Sequence, residues 1–143
     1  MADPRSYPGE AVTVTFDGAR CLHAARCVQG LPEVFDTGRR PWILPDGAPA
    51  QAVAEIVRRC PSGALRYELH DGDPEAPTEP TRVSARPGEP VWLRGALEID
   101  TGDGVVSERR AALCACGATG NAPYCDGAGD CGAWKRRVQD LDG

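Results

Sequence analysis

The chain predicts an α+β fold divided between two small units, and three observations carry that expectation. One amphipathic segment has helical period, several short segments alternate apolar with polar residues, and a proline-rich stretch separates two groups of cysteines. Cys21, Cys27 and Cys60 stand before that stretch, and Cys114, Cys116, Cys125 and Cys131 after it. With 143 residues in all, each unit is near the lower size at which a core alone supports a fold, so a metal or cluster held in each adds to stability.

In the first unit, residues 1–72, Ala11 to Phe16 alternate as a half-buried strand does, and Asp17-Gly18 ends it with a turn. After Cys27, the run from Val28 to Phe35 reads as a short helical turn broken by Gly30 and Pro32. Trp42-Ile43-Leu44 reads as a short strand before the Pro45-Asp46-Gly47 turn. From Pro49 to Cys60, Val53, Ile56, Val57 and Cys60 recur at three and four residues, which predicts an amphipathic helix whose last turn delivers Cys60. Pro61 stops it, and Gly63 to Leu69 returns as a strand, with His70 expected at the surface.

Residues 73–90 contain Pro74, Pro77, Pro80, Pro87 and Pro90 and no apolar period, so an extended, fairly stiff linker is expected there. Residues 91–143 open with two strands, Val91 to Asp100 and Val105 to Ser107, around the Thr101-Gly102-Asp103-Gly104 turn. Arg109-Arg110 is expected to be a solvated pair at the strand end.

Charge narrows the choice of partners. Residues 1–72 carry eight Arg and nine Asp or Glu, and residues 73–143 carry eight Lys or Arg and twelve Asp or Glu. Neither unit has the basic excess that phosphate backbones require, so nucleic acid is not an expected partner. An acidic protein instead suits a basic patch on a redox partner protein, either a reductase or an acceptor. No apolar run marks a signal peptide or a membrane span, so a cytoplasmic location is expected. In a reducing compartment, cysteines at close spacing bind metal or do redox chemistry more often than they form disulfides.

Cys21 and Cys27, with five residues between them in a loop, and Cys60 at a helix end before a proline suit a cubane-type cluster, because iron and sulfide prefer soft sulfur ligands. The alternative is that they are small buried hydrophobes. In the second unit, Cys114 and Cys116 are two apart, which in an extended segment puts both sulfurs on one side, able to grip a single iron. Gly117 and Gly120 let the chain turn back and Cys125 arrives for a second iron. A zinc knot is the runner-up there, although its paired ligands are usually spaced more widely.

Residues 11–70 resemble the single-cluster ferredoxins of bacteria, in particular their divergent short form. The likeness rests on Phe16-Asp17-Gly18, on Cys21-Leu22-His23-Ala24-Ala25-Arg26-Cys27, on Leu31-Pro32-Glu33-Val34-Phe35 and on Cys60-Pro61-Ser62-Gly63-Ala64-Leu65. It implies a ferredoxin-like α/β unit in which Ala24 stands where the ordinary pattern has another cysteine. The implied cofactor is a [3Fe-4S] cluster on Cys21, Cys27 and Cys60, the form favoured here, or a [4Fe-4S] cluster whose last iron takes His23, water or another ligand.

Residues 89–134 resemble the CDGSH-type iron-sulfur domain of the mitoNEET family, through Cys114-Ala115-Cys116-Gly117-Ala118-Thr119, Pro123-Tyr124-Cys125-Asp126-Gly127-Ala128 and Trp134. That likeness implies a small, mostly β unit with a [2Fe-2S] cluster on three cysteines, matched by Cys114, Cys116 and Cys125, and one histidine. Gly129 stands at the histidine position, so Cys131, or more weakly Asp130, is the expected replacement. A thiolate in place of imidazole implies a low potential with weak pH dependence. Electron transfer between redox partners, with no enzymatic activity, is the expected function; a cluster carrier or redox sensor is the alternative. Single-motif members of that family resemble halves of a pair, so either a homodimer or the ferredoxin-like unit is expected to complete this one.

Overall fold

The computed structural model describes residues 4–135, and the fold is α+β, with two small antiparallel sheets. The first sheet has the order β1 (Arg5–Pro8), β2 (Val12–Phe16), β3 (Leu65–Leu69). Strand β2 is central, pairing Arg5↔Phe16 on one side and Phe16↔Leu65 on the other. Its alternation is visible in burial: Val12 and Val14 are fully enclosed. Strand β1 was not expected, since Arg5-Ser6-Tyr7-Pro8 lacks apolar alternation; its pairing with β2 creates it.

Helix α1 (Arg26–Gly30) carries Cys27, and α2 (Ala50–Arg58) buries Val53, Ala54, Ile56 and Val57. Val53, Ile56 and Val57 join Val12, Val14, Val34, Phe35, Ile43 and Leu65 in one core. The expected strand at Trp42-Ile43-Leu44 shrinks to a single bridge, Phe35↔Ile43, although Ile43 is 1% exposed. Helix α2 ends one residue before Arg59, so Cys60 follows the helix instead of lying in its last turn, and Pro61 prevents continuation.

The second sheet has the order β4 (Arg82–Ser84), β5 (Val91–Asp100), β6 (Val105–Leu113), with a bulge between Arg94 and Leu97. Strand β4 lies inside the stretch expected to be an extended, fairly stiff linker: Val83 pairs with Leu93 despite its exposed side chain. Glu75, from the same stretch, holds the Arg110 guanidinium at 2.9 Å through both carboxylate oxygens. Strand β6 runs six residues beyond the expected Ser107 and ends at Leu113, directly before Cys114.

The two halves pack against each other through buried charge. Arg110, expected to be solvated, is 3% exposed. Its five N–H groups donate to Val57 O, Cys60 O, Leu65 O and the two Glu75 oxygens at 2.7–2.9 Å, which satisfies the whole guanidinium. Arg109 donates to Glu75 O at 3.0 Å. Gly63, at φ +75°, touches this seam so closely that a Cβ would meet Arg110 O and would lie 2.7 Å from Arg20 Nη2. Glu108, 5% exposed, accepts from Arg20 at 2.7 Å and from Arg66 at 2.7 Å.

Candidate metal centres

In the first half, three elements converge on one set of thiols. The turn Gly18–Arg20, capped by Asp17 through Ala19 N–H at 3.1 Å, presents Cys21; α1 presents Cys27; and the residue pair after α2 presents Cys60. All three are partly buried and none is disulfide-bonded. Together with Ala24, Pro61 and Ser62 they line a cavity of about 40 Å³. Burial, and after it the charge of Cys60, pushes the Cys27 thiol up to about 11, and burial raises Cys21 as well. Iron must therefore displace protons from these thiols, and binding it is linked to pH.

The connecting loop holds His23 at φ 58° and Ala25 at φ 64°, in the left-handed region that side chains disfavour by about 1 kcal/mol or more each. The outcome is a loop with two faces. Cys21, His23, Ala25 and Cys27 line an open cleft of about 640 Å³, together with Arg40 and Trp42. Leu22 and Ala24 pack against the second half. The N–H of His23 points to the Cys21 sulfur, and His23 Nδ1 is 4.0 Å from the same sulfur. His70 is exposed as expected, between Thr13 Oγ1 and Glu10 O at 2.8 Å.

In the second half, the four thiols form two pairs. Cys114 and Cys116 have sulfurs 4.0 Å apart, and Cys125 and Cys131 have sulfurs 3.6 Å apart. Two thiolates on one tetrahedral metal at about 2.3 Å stand roughly 3.8 Å apart, so each pair has the separation that one iron requires. Among the described residues no group of three or more His, Cys, Asp or Glu side chains is placed to hold a single metal ion.

Local hydrogen bonds shape the loop. Cys114 N–H donates to Pro123 O and Cys125 N–H to Ala112 O, both at 2.8 Å, so the returning chain is laced to the end of β6. Asp126 accepts from Gly120 N–H at 2.9 Å and Ala128 N–H at 3.0 Å. The N–H groups of Thr119, foremost, and Gly117 hold the Cys114 thiol below its usual range. Burial pushes Cys125 up to about 11. Gly129 lies against Cys116, where any Cβ would collide with the sulfur. The exposed Asp130 contrasts with Cys131, which is 4% exposed and beside Cys125.

Sequence reasoning missed the residues that join the two loops. Arg20, directly before Cys21, stacks its guanidinium 4.1 Å over the ring of Tyr124, directly before Cys125. Tyr124 in turn donates to Glu108 at 3.2 Å. Leu22 shares a buried cluster with Trp92, Ala112, Cys125, Cys131 and Trp134. The available signal was the apolar Leu22 inside a short cysteine loop, where a polar residue would serve if the loop faced water.

These two thiol-lined sites define an iron-sulfur protein. The family described as the divergent 4Fe-4S mono-cluster matches residues 7–70, and the family described as the iron-binding zinc finger of CDGSH type matches residues 88–128. The "uncharacterized protein YjdI" of Escherichia coli K12 is 43% identical over 63 residues, which is 44% of this chain and 83% of that protein, and its counterpart from strain O157:H7 matches equally. No solved structure matches the chain. The chain belongs to the divergent 4Fe-4S mono-cluster family and carries a CDGSH-type segment behind that unit. The family description speaks for four irons in the first half, and the three-iron form finds no support in it. No helix among the described residues is long and apolar enough to cross a membrane.

Proposed function

We propose that the chain is a two-cluster protein for single-electron transfer between a reductase and an acceptor. Cys21, Cys27 and Cys60 would hold a four-iron cluster in a ferredoxin-like first half, and Cys114, Cys116, Cys125 and Cys131 a [2Fe-2S] cluster in the second. The observation that carries this is that Leu22, in the first cysteine loop, shares one buried cluster with Cys125 and Cys131, and that Ala24 packs against that cluster. The clusters supply reversible one-electron chemistry when bound.

The protein's own residues provide the setting. Arg110, through Cys60 O, and Arg20, beside Cys21, hold both loops in register. His23 is not taken as a ligand in this reading; its Nδ1 lies 4.0 Å from the Cys21 sulfur, where it can share a hydrogen bond with that thiol. The remaining iron is left to water or a small ligand entering from the Arg40-Trp42 cleft, which also offers a reductase or acceptor its approach. The first half completes the CDGSH-type unit from within one chain, in place of a homodimer, because its Leu22 fills the space beside Trp92 and Trp134. No catalytic residue is assigned.

Iron and sulfide analysis with EPR on the reduced protein tests this. Two distinct clusters that reduce and reoxidise without loss of iron support it; a colourless, zinc-containing protein overturns it. The exposed Cys116, beside the half-buried Cys114, favours a second reading, a cluster carrier or redox sensor, since this end of the site faces solvent. Redox-dependent handover of the [2Fe-2S] cluster to an apo-acceptor would decide for that reading.

A further inference from the structure

The loop between Cys21 and Cys27 has one face toward a cleft and the other toward the second half, and the second face has no evident need to be apolar if each half works alone. Leu22 is 7% exposed and is packed with Cys125 and Cys131. Its Cδ2 is 3.9 Å from where a Cβ on Gly127 would stand, so the side chain reaches into the loop that follows Cys125. Ala24 lines the cavity shared by Cys21, Cys27 and Cys60 and also packs against the buried cluster that contains Cys125 and Cys131. Leu22 lines the same cavity, so both residues stand between the two sets of thiols.

Around that contact the orientation is over-determined. Arg20 lies over Tyr124 at 4.1 Å, Arg20 pairs with Glu108 at 2.7 Å, and Asn121 Nδ2 donates to Ala19 O at 3.4 Å. Each contact joins the residues next to one cysteine loop with those next to the other. A plain spacer needs no such clamp, and a surface contact would not bury an ion pair whose desolvation is costly.

We propose that Leu22 and Ala24 form the electron bridge between the two centres, so that the halves act as one redox unit. This rests on the two-cluster reading given above. Leu22 and Ala24 provide packed atoms across which a single electron leaves the reduced cluster on one side and enters the oxidised cluster on the other. One cluster is oxidised by one electron as the other is reduced by one; no bond changes and no proton moves. Replacement of the ordinary cysteine by Ala24 fits this role, since a side chain committed to the first cluster would not also pack against the buried group that contains Cys125 and Cys131.

The test uses the full-length protein with both clusters loaded, as checked by iron and sulfide content. With both clusters reduced, the EPR signal of the [2Fe-2S] cluster is expected to be broadened and to relax faster than in Cys27→Ala, where the first site is lost. After flash reduction, Leu22→Ala is expected to slow equilibration between the clusters by about tenfold at unchanged iron content, because a void replaces packed atoms. Ala24→Gly gives a smaller slowing in the same direction and decides the matter if Leu22→Ala loses iron. Fully loaded protein with an uncoupled signal, or with wild-type rates in the variants that keep their iron, overturns the bridge while leaving the two-cluster reading intact. Wild-type protein that loads only one site overturns both.

Discussion

Arg20 Nη1 lies 2.7 Å from Glu108 Oε1, with both side chains almost wholly enclosed, and the pair joins positions 88 residues apart across the seam between the halves. Removing one partner of such a pair leaves the other charge buried and uncompensated, and here Arg66 and Tyr124 also lose an acceptor. Glu108→Ala is expected to destabilise the protein by about 3–5 kcal/mol. Urea unfolding followed by cluster absorbance measures this, and a loss within the range of surface substitutions would show that the seam is not a stabilising contact.

Arg110 makes a sharper case, because its five N–H groups all have acceptors, three of them backbone carbonyls in the first half. Lysine keeps the charge and loses the fork. Arg110→Lys is expected to cost about 1.5–3 kcal/mol through lost charge-assisted bonds. Since one of those bonds ends on Cys60 O, iron should be lost from the first site before the second during unfolding, which site-resolved EPR can follow.

Those two residues also show where the sequence was legible and where it was silent. Helix α2 could be read because Val53, Ile56 and Val57 repeat at helical spacing, and the cysteine loops because their side-chain chemistry is unusual. Arg109-Arg110 looked solvated because a charge pair at a strand end has no local sign of burial; its partners are carbonyls and Glu75, brought in by tertiary packing. The same holds for β1 and β4, whose strands come from pairing with β2 and β5 and not from their own pattern. The contact between the Cys125 and Cys131 sulfurs, with Cys131 buried and Asp130 exposed, was likewise illegible, because it depends on how the loop after Gly127 folds back.

Thiol reactivity offers an independent check on the two sites without iron. The thiolate is the reacting form, so the Cys114 thiol, held low by N–H groups of its own loop, is expected to be alkylated first at neutral pH. Cys27 and Cys125, each pushed up to about 11 chiefly by burial, stay protonated there and react more slowly. Raising the pH toward 11 should narrow the difference, because these thiols then ionise. Iodoacetamide labelling of the apoprotein with peptide mapping measures the order, and rapid labelling of Cys27 would contradict the buried geometry.

Gly129 bears on the identity of the fourth ligand. A histidine there, as in the resembling family, would place a Cβ against the Cys116 sulfur, so this loop is shaped for glycine. Gly129→Ala is expected to lower iron in the [2Fe-2S] site, Cys131→Ala to abolish or alter its EPR signal, and Asp130→Ala to leave both unchanged. An unaltered signal in Cys131→Ala would remove Cys131 from the ligand set.

If Cys131 is the fourth ligand, the potential follows from charge. A thiolate adds negative charge that neutral imidazole lacks, which opposes the arrival of an electron and lowers the potential. It also removes the one ligand whose proton changes between about pH 5 and 8. Protein film voltammetry is therefore expected to give a low potential that is nearly flat across that range. Cys131→His should raise it and introduce a fall with rising pH, because reduction then draws a proton to the imidazole and that proton becomes scarcer. A steep slope in the wild-type protein would mean that a protonatable group other than Cys131 completes the site.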